Sequence, residues 1–200
     1  MANIAFPDVP LESITCELSW PGQRVHESVY TGSIQTIPRG IGRWTGTFVW
    51  PLVGRIDNAE NIRRIDAFFA SVQGAVNTFD LPYTAIDASQ RDAFPDGTDV
   101  RLTAVERTGS TFIATLNQAT GLRVGDRVTI SNDMFILTTN LAGGKCTLSP
   151  YRPLVIPTAG LVVEWRDVTL RARLTQSNPV SVLRNVDWAG PWAAAFQDVL

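Results

Sequence analysis

Few residues in this 200-residue chain combine type and spacing in a way that could do chemistry. The only histidine, His26, falls in an alternating stretch with no nucleophile signature beside it. A Ser-His-Asp triad or a histidine-built metal centre is therefore not expected. Cys16 and Cys146 are the only cysteines; two thiols so far apart make neither a disulfide framework nor a metal-ligand spacing. They read as free thiols of a chain made in a reducing cytosol. Gly143-Gly144-Lys145 lacks the upstream glycine of a phosphate loop and reads as a hairpin turn. Asp87, Asp92, Asp96 and Asp99 cluster loosely without EF-hand spacing, so solvated loop carboxylates are expected. Catalysis would have to rest on carboxylates alone, and no pair of them is marked out. No catalytic residue, metal or cofactor is expected, and the chain is not read as an enzyme.

Charge excludes further classes. The net charge is −2, which suggests neither a nucleic-acid partner nor an anionic membrane surface. Arg39, Arg43, Arg55, Arg63 and Arg64 could form a positive patch, but Asp57, Glu60 and Asp66 interleave with them. That mixture favours salt-linked subunit contacts. No apolar run is long enough to span a membrane, and the first twelve residues lack the basic and apolar regions of a signal peptide.

The elements that would position any site are clearest between Arg43 and Pro82. Trp44, Gly46, Phe48 and Trp50 share one face of a strand at period two. So much aromatic surface requires a cover. The next element suits that role: Asp57 and Glu60 have capping-box spacing, Ile62, Ile65, Phe69 and Val72 repeat at helical spacing, and Gly74 is a stop signal. A helix over 58–73 lying on a tryptophan-rich sheet is predicted, followed by a strand from Ala75 to Leu81. Its core would comprise Trp44, Phe48, Trp50, Ile62, Ile65, Phe69 and Phe79. Upstream, Ile14, Cys16, Leu18 and Trp20 alternate with polar residues, and a long polar ribbon runs from Arg24 to Ile37. Such a ribbon fits an edge, a hairpin arm or an interface completed by another subunit.

Near Tyr83 the composition turns polar and turn-rich. Short strands then recur with glycine turns: 100–106, 111–117, 127–131, 134–139, 145–149 and 161–165. They predict a small barrel or sandwich. The run 166–176 alternates cleanly and is expected to rejoin the first sheet. The predicted fold is thus mainly β: a β-sandwich or split-barrel core with one flanking helix, and an inserted small barrel-like domain. The core would comprise residues 1–90 plus 166–200, and the insertion residues 97–165. In the tail, Trp188, Trp192 and Phe196 recur every four residues around Gly190-Pro191, predicting a short helix after Pro191 that docks on its own domain or on a neighbour. Candidate subunit contacts are Arg24, His26, Tyr30, Arg39, Trp188, Trp192 and Phe196.

The stretch WTGTFVWPLV, then the capped helix and the turn Gly74–Asn77–Phe79 into the next strand, resembles the distal tail proteins of long-tailed bacteriophages, which are related to tail tube proteins. The resemblance covers about half the chain. It implies a β core flanked by one helix, often with an added β domain, though here that domain would interrupt the core. It further implies a hexameric ring joining the tail tube protein to the baseplate hub and host-recognition parts, at the tail tip of a virion assembled in the host cytoplasm. Two alternatives accompany it: a tail tube subunit, or a module whose 97–165 unit binds host-surface glycan through Phe112, Phe135, Tyr151 or Trp165. A carboxylate-dependent hydrolase of cell-wall glycans ranks last.

Overall fold

The computed structural model describes residues 2–19, 24–27, 34–37, 42–54, 56–73, 75–83, 88–108, 111–150, 160–175, 180–184 and 187–199. The protein is mainly β, with a large mixed sheet, a closed barrel and one long helix. Its first half contains β1 (Asn3–Ile4), β2 (Ser13–Ser19), β3 (Arg24–Glu27), β4 (Ile34–Ile37), β5 (Arg43–Trp50) and β6 (Val53–Gly54). Helix α1 (Ala59–Val72), β7 (Thr78–Pro82) and the single-turn α2 (Ala88–Arg91) follow. Six strands then form the barrel: β8 (Arg101–Thr108), β9 (Thr111–Leu116), β10 (Arg127–Ile130), β11 (Asp133–Leu137), β12 (Lys145–Ser149) and β13 (Leu161–Glu164). The chain ends with β14 (Thr169–Leu174), β15 (Val180–Arg184) and β16 (Trp188–Asp198).

The large sheet runs β1-β7-β14-β16-β5-β2, with β6 and β15 also pairing with β16. All its ladders are antiparallel except the two-residue β1–β7 pairing. One face carries Trp44, Phe48 and Trp50 from β5, Phe79 and Leu81 from β7, and Phe196 from β16, all buried. Among the described residues, the layer over this face consists of α1, the segment around Phe6, and the outer side of barrel strand β11. The helix contributes Ile62, Ile65, Phe68 and Val72. Phe69, predicted for the buried stripe, is half-buried, and Phe68 takes the inward position. The two are successive residues, about 100° apart around the helix, and the helix turns the Phe68 side to the sheet.

The helix ends differ from the predicted capping box. Asn58 is the N-cap and makes no side-chain cap bond; its amide donates to the Gly54 carbonyl instead, at 3.1 Å. Glu60 pairs along the helix with Arg64. At the other end Gln73 adopts the left-handed conformation at φ 50°, and Gly74 lies outside the described residues. Asn77 completes the stop: its backbone N–H donates to the Val72 carbonyl at 3.1 Å and its side-chain amide to Ser71 O at 2.9 Å. Two carbonyls of the last turn are thereby satisfied.

The predicted C-terminal helix is not formed. Residues 188–198 make β16, the longest strand and the hub of the sheet, pairing with β5, β6, β14 and β15. Positions four apart share a face in a strand as well as in a helix, so the Trp192–Phe196 spacing did not discriminate. Gly46 on β5 makes room for this packing. A Cβ there would lie 1.9 Å from the Thr15 carbonyl oxygen and 2.9 Å from the Phe196 ring.

The barrel closes in the order β10-β11-β12-β9-β8-β13. Side chains fill it, among them Leu102, Phe112, Ile130, Phe135 and Leu148, each at most 1% exposed. The Phe112 and Phe135 rings meet edge-to-face at 5.2 Å. Ser131 and Asn132, both with positive φ, form the two-residue turn between β10 and β11, as a primed hairpin turn requires. After β13 the chain leaves the barrel, and β14 pairs with β7 and β16 of the large sheet.

Core truncation should follow burial. Phe48→Ala and Phe68→Ala should each cost about 3–5 kcal/mol of unfolding free energy in urea titration, and Phe69→Ala clearly less. Equal losses at 68 and 69 would contradict the helix orientation.

Candidate interaction surfaces

The carboxylates singled out in the sequence do not converge. Asp96 pairs with Arg166, and Asp99 accepts from Arg101 Nε at 2.7 Å. Asp92 lines a shallow pocket with Asp96 and Asp167, but Arg91 and Arg166 line it too. Asp87 lies outside the described residues. Among the described residues no group of three or more His, Cys, Asp or Glu side chains could hold a metal ion, and no helix is long and apolar enough to cross a membrane. Gly143 and Gly144, at φ 57° and 79°, form the hairpin turn between Ala142 and Lys145.

The polar centre of the molecule is the joint between barrel and sheet. The Arg127 guanidinium on β10 stacks 4.5 Å from the Tyr83 ring centroid and 5.9 Å from that of Trp44. Asp198, buried at the end of β16, accepts from the Trp44 backbone N–H at 2.9 Å. Trp44 Nε1 donates to Met134 O at 2.6 Å. The Gln90 side chain donates to the carbonyls of Arg127 and Trp165 at 2.6 and 2.7 Å, and accepts from Arg127 N at 3.0 Å. Thr129 and Thr169 exchange two further bonds, of 2.6 and 2.8 Å. The Trp44–Met134 and Thr129–Thr169 bonds run between the sheet and the barrel, and the Gln90 bonds tie the single-turn α2 to the ends of two barrel strands. Sequence reasoning passed over Gln90, which sits in a polar stretch and carries no motif. The signal for β11 was present in the continuous apolar run Met134–Leu137, which marks a strand buried on both faces.

Burial pushes the Cys16 thiol up to about 12; nearby Arg127 opposes the shift, and Asp198 and Glu17 add to it. Burial alone pushes Cys146 up to about 11. Neither is an activated nucleophile.

The predicted contact residues divide sharply. Trp192 and Phe196 are each 1% exposed and belong to the chain's own core, so they are not free for a partner. Trp188 is 49% exposed, opposite Gly54 across the β16–β6 ladder, near the exposed Leu52 and Ile56. Arg24 and His26 lie on β3, paired in register with Ile37 and Gln35 of β4. Tyr30 and Arg39 lie outside the described residues. The 24–37 ribbon is therefore two short antiparallel strands rather than one long one. Its register nearly continues that of β2 and β5: Ser19 pairs with Arg43, and Arg24 pairs with Ile37. Strands β3 and β4 form a two-stranded sheet of their own.

Strand β2 ends the large sheet, and among the described residues no strand pairs with its outer side. Its seven residues alternate exposed and half-buried, with Ile14, Cys16 and Leu18 only half covered. The opposite edge is the two-residue β1. On the barrel, Phe112, Phe135 and Trp165 are buried and form no exposed aromatic platform, and Tyr151 lies outside the described residues.

No protein-family model matches the chain, and comparison with curated protein sequences gives no significant match.

Two outcomes follow. Gln90→Ala should cost about 1–3 kcal/mol, because it strips a partner from three backbone groups at once; a neutral effect on urea unfolding would refute its role as the joint's clasp. Both thiols have folded-state values above their ordinary 9.0. The folded state then keeps protons that the unfolded state loses, so their contribution to stability is complete below pH 9 and falls as pH rises towards 11–12. Comparing the pH dependence of unfolding between pH 8 and 11 checks this. The Cys16→Ala/Cys146→Ala variant should show a shallower alkaline decline than the parent.

Proposed function

We propose that this protein is a structural ring subunit of the tail tip of a long-tailed bacteriophage. In this role it joins the tail tube to the baseplate hub and host-recognition components. The observation that carries the reading is the β2 edge, with whose outer side no strand pairs among the described residues. An edge strand of seven residues presents unpaired donors and acceptors, and a neighbouring chain can complete it. Half-covered Ile14, Cys16 and Leu18 add apolar area for that neighbour.

The resemblance of the Trp44–Phe79 stretch to distal tail proteins supplies the particular assembly, a hexamer. The two sheet edges are unequal, so a junction that joins one edge of each kind is heterologous, and a ring of such junctions closes by rotation. A chain of net charge −2 suits a ring whose lumen passes DNA without holding it.

Light scattering of the purified protein should give a mass about six times the 21.9 kDa of one chain, and negative-stain images of that peak should show six-fold rings. Replacing residues 21–41 by Asn-Gly, a turn that suits the β2–β5 ladder, should leave a folded monomer that no longer assembles. A parent protein that stays monomeric at all concentrations, alone and with a tail tube partner, would refute the reading.

A further inference from the structure

Residues 2–12 form a strap across the aromatic face of the large sheet, and most of it is firmly held within its own chain. Glu12 N–H donates to Val49 O at 2.8 Å where β2 begins. Val9 O accepts from Trp50 Nε1 at 3.1 Å. Phe6 docks against Phe48, Trp50, Phe68 and Phe79, with centroids 5.3–5.9 Å apart.

Beyond Phe6 the hold is lighter. β1 meets the outer side of β7 through two pairs, Asn3 with Thr78 and Ile4 with Phe79. The bonds from Ala2 N–H to Asn77 Oδ1 (3.1 Å) and from Asn3 Nδ2 to Asp80 Oδ2 (2.7 Å) lie at the surface, where water can replace them. Ala2, Asn3 and Ala5 are exposed. An open groove of ≈ 310 Å³ separates Ile4–Pro7 from Arg64, Ala67 and Ser71 of the helix, so β1 is not wedged in place there. β7 itself continues to Pro82. From Asp80 to Pro82 its outer side has no ladder partner among the described residues. A second open groove, of ≈ 490 Å³, lies there instead, between Asp80 and Pro82 and strap residues 6–11.

The direction of β1 bears on what this edge is built to receive. Four ladders separate β7 from β2, and all four are antiparallel, so the two edge strands run the same way. A neighbour generated by rotation about an axis along the strands keeps that direction, and its β2 would lie parallel to β7. β1 is parallel to β7 too. It holds the edge in the orientation that the neighbour's strand would take. Ile4 packs against the aromatic core, as Ile14, Cys16 and Leu18 of β2 do at the other edge.

We propose that β1 is a stand-in: it guards the β7 edge in the free chain and yields it to β2 of the next copy on assembly. This rests on the head-to-tail ring reading. Residues 2–5 swing out about Ala5, while Phe6, Val9 and Glu12 keep their contacts within their own chain. The entering strand has seven residues against the two of β1, enough to cover Thr78–Pro82 and fill the groove beside it. Until then the guard blunts an edge that would otherwise pair indiscriminately.

The test locks the guard in place. Asn3→Cys/Thr78→Cys in one full-length chain puts the two cysteines on directly paired residues of the β1–β7 ladder. By light scattering and negative stain, the reduced variant should form rings like the parent. The oxidised variant should stay monomeric and assemble once dithiothreitol is added, while chains with either cysteine alone, oxidised alike, assemble throughout. A second variant, lacking residues 2–5, should assemble at a several-fold lower concentration than the parent; an unchanged or higher midpoint overturns the guard. Rings formed by the oxidised double variant also overturn the guard and leave the ring standing. A parent that stays monomeric at all concentrations, alone and with a tail tube partner, overturns both.

Discussion

Phe48 is the side chain on which the large sheet, its helix and its amino-terminal strap all depend. It is fully buried on β5, and its ring meets those of Phe6, Trp50, Phe69, Phe79 and Phe196 at centroid distances of 5.1–6.5 Å. Those rings belong to the strap, the same strand, the helix, β7 and β16. Edge-to-face and offset pairs each add about 0.5–1.5 kcal/mol beyond burial, so one side chain couples its own strand to four other segments of the chain. Without that cluster the helix would have only the isolated-helix stability of fourteen residues, which is marginal.

The second dependence is positional. The barrel has its own filled core around Phe112 and Phe135 and closes through its own six strands. What attaches it is β11, whose inward side carries Phe135 and whose outward side offers Met134 to the sheet's core. Polar bonds then join the two bodies, Trp44 to Met134 and Thr169 to Thr129, while Gln90 ties the preceding turn α2 to the barrel. Apolar contact alone tolerates sliding, whereas directional bonds to fixed backbone groups do not. The joint is thus specified more by hydrogen bonds than by area.

Much of this was legible in the sequence because period two and period 3.6 are local signals. The Trp44–Trp50 face, the helix and the six barrel strands could be read within a residue or two, and Gly143-Gly144 marks a turn between them, whereas Ser131, read as strand, belongs to the turn with Asn132. The failures came where locality ends. Trp192 and Phe196 fit a helix and a strand equally, and only pairing with β5 and β14 decides. Phe68 and Phe69 compete for one position, and the sheet's aromatic layer chooses. Asp57 had capping-box spacing, but Asn58 occupies the cap. Gln90 and Phe6 act through partners distant in sequence, or across a sheet not yet formed in the reader's mind. Neither Arg24 nor His26 is distinguished by composition, and their place on a hairpin arm follows from register alone.

The two edges of the large sheet carry the last step. A sheet that faced its own copy across a two-fold axis would use the same edge twice, and seven residues of β2 could pair with themselves. Such a dimer would leave the β7 edge covered only by two residues of β1 and the grooves beside the strap open. Head-to-tail contact removes both deficits together, because each junction consumes one edge of each kind. On that reading each junction would pair one edge of each kind, and the row of unpaired β2 donors and acceptors would be completed by the neighbouring copy. On the reading proposed here, the inequality of the edges makes the protein a ring subunit, and the barrel rides outside that logic as a rigidly mounted addition.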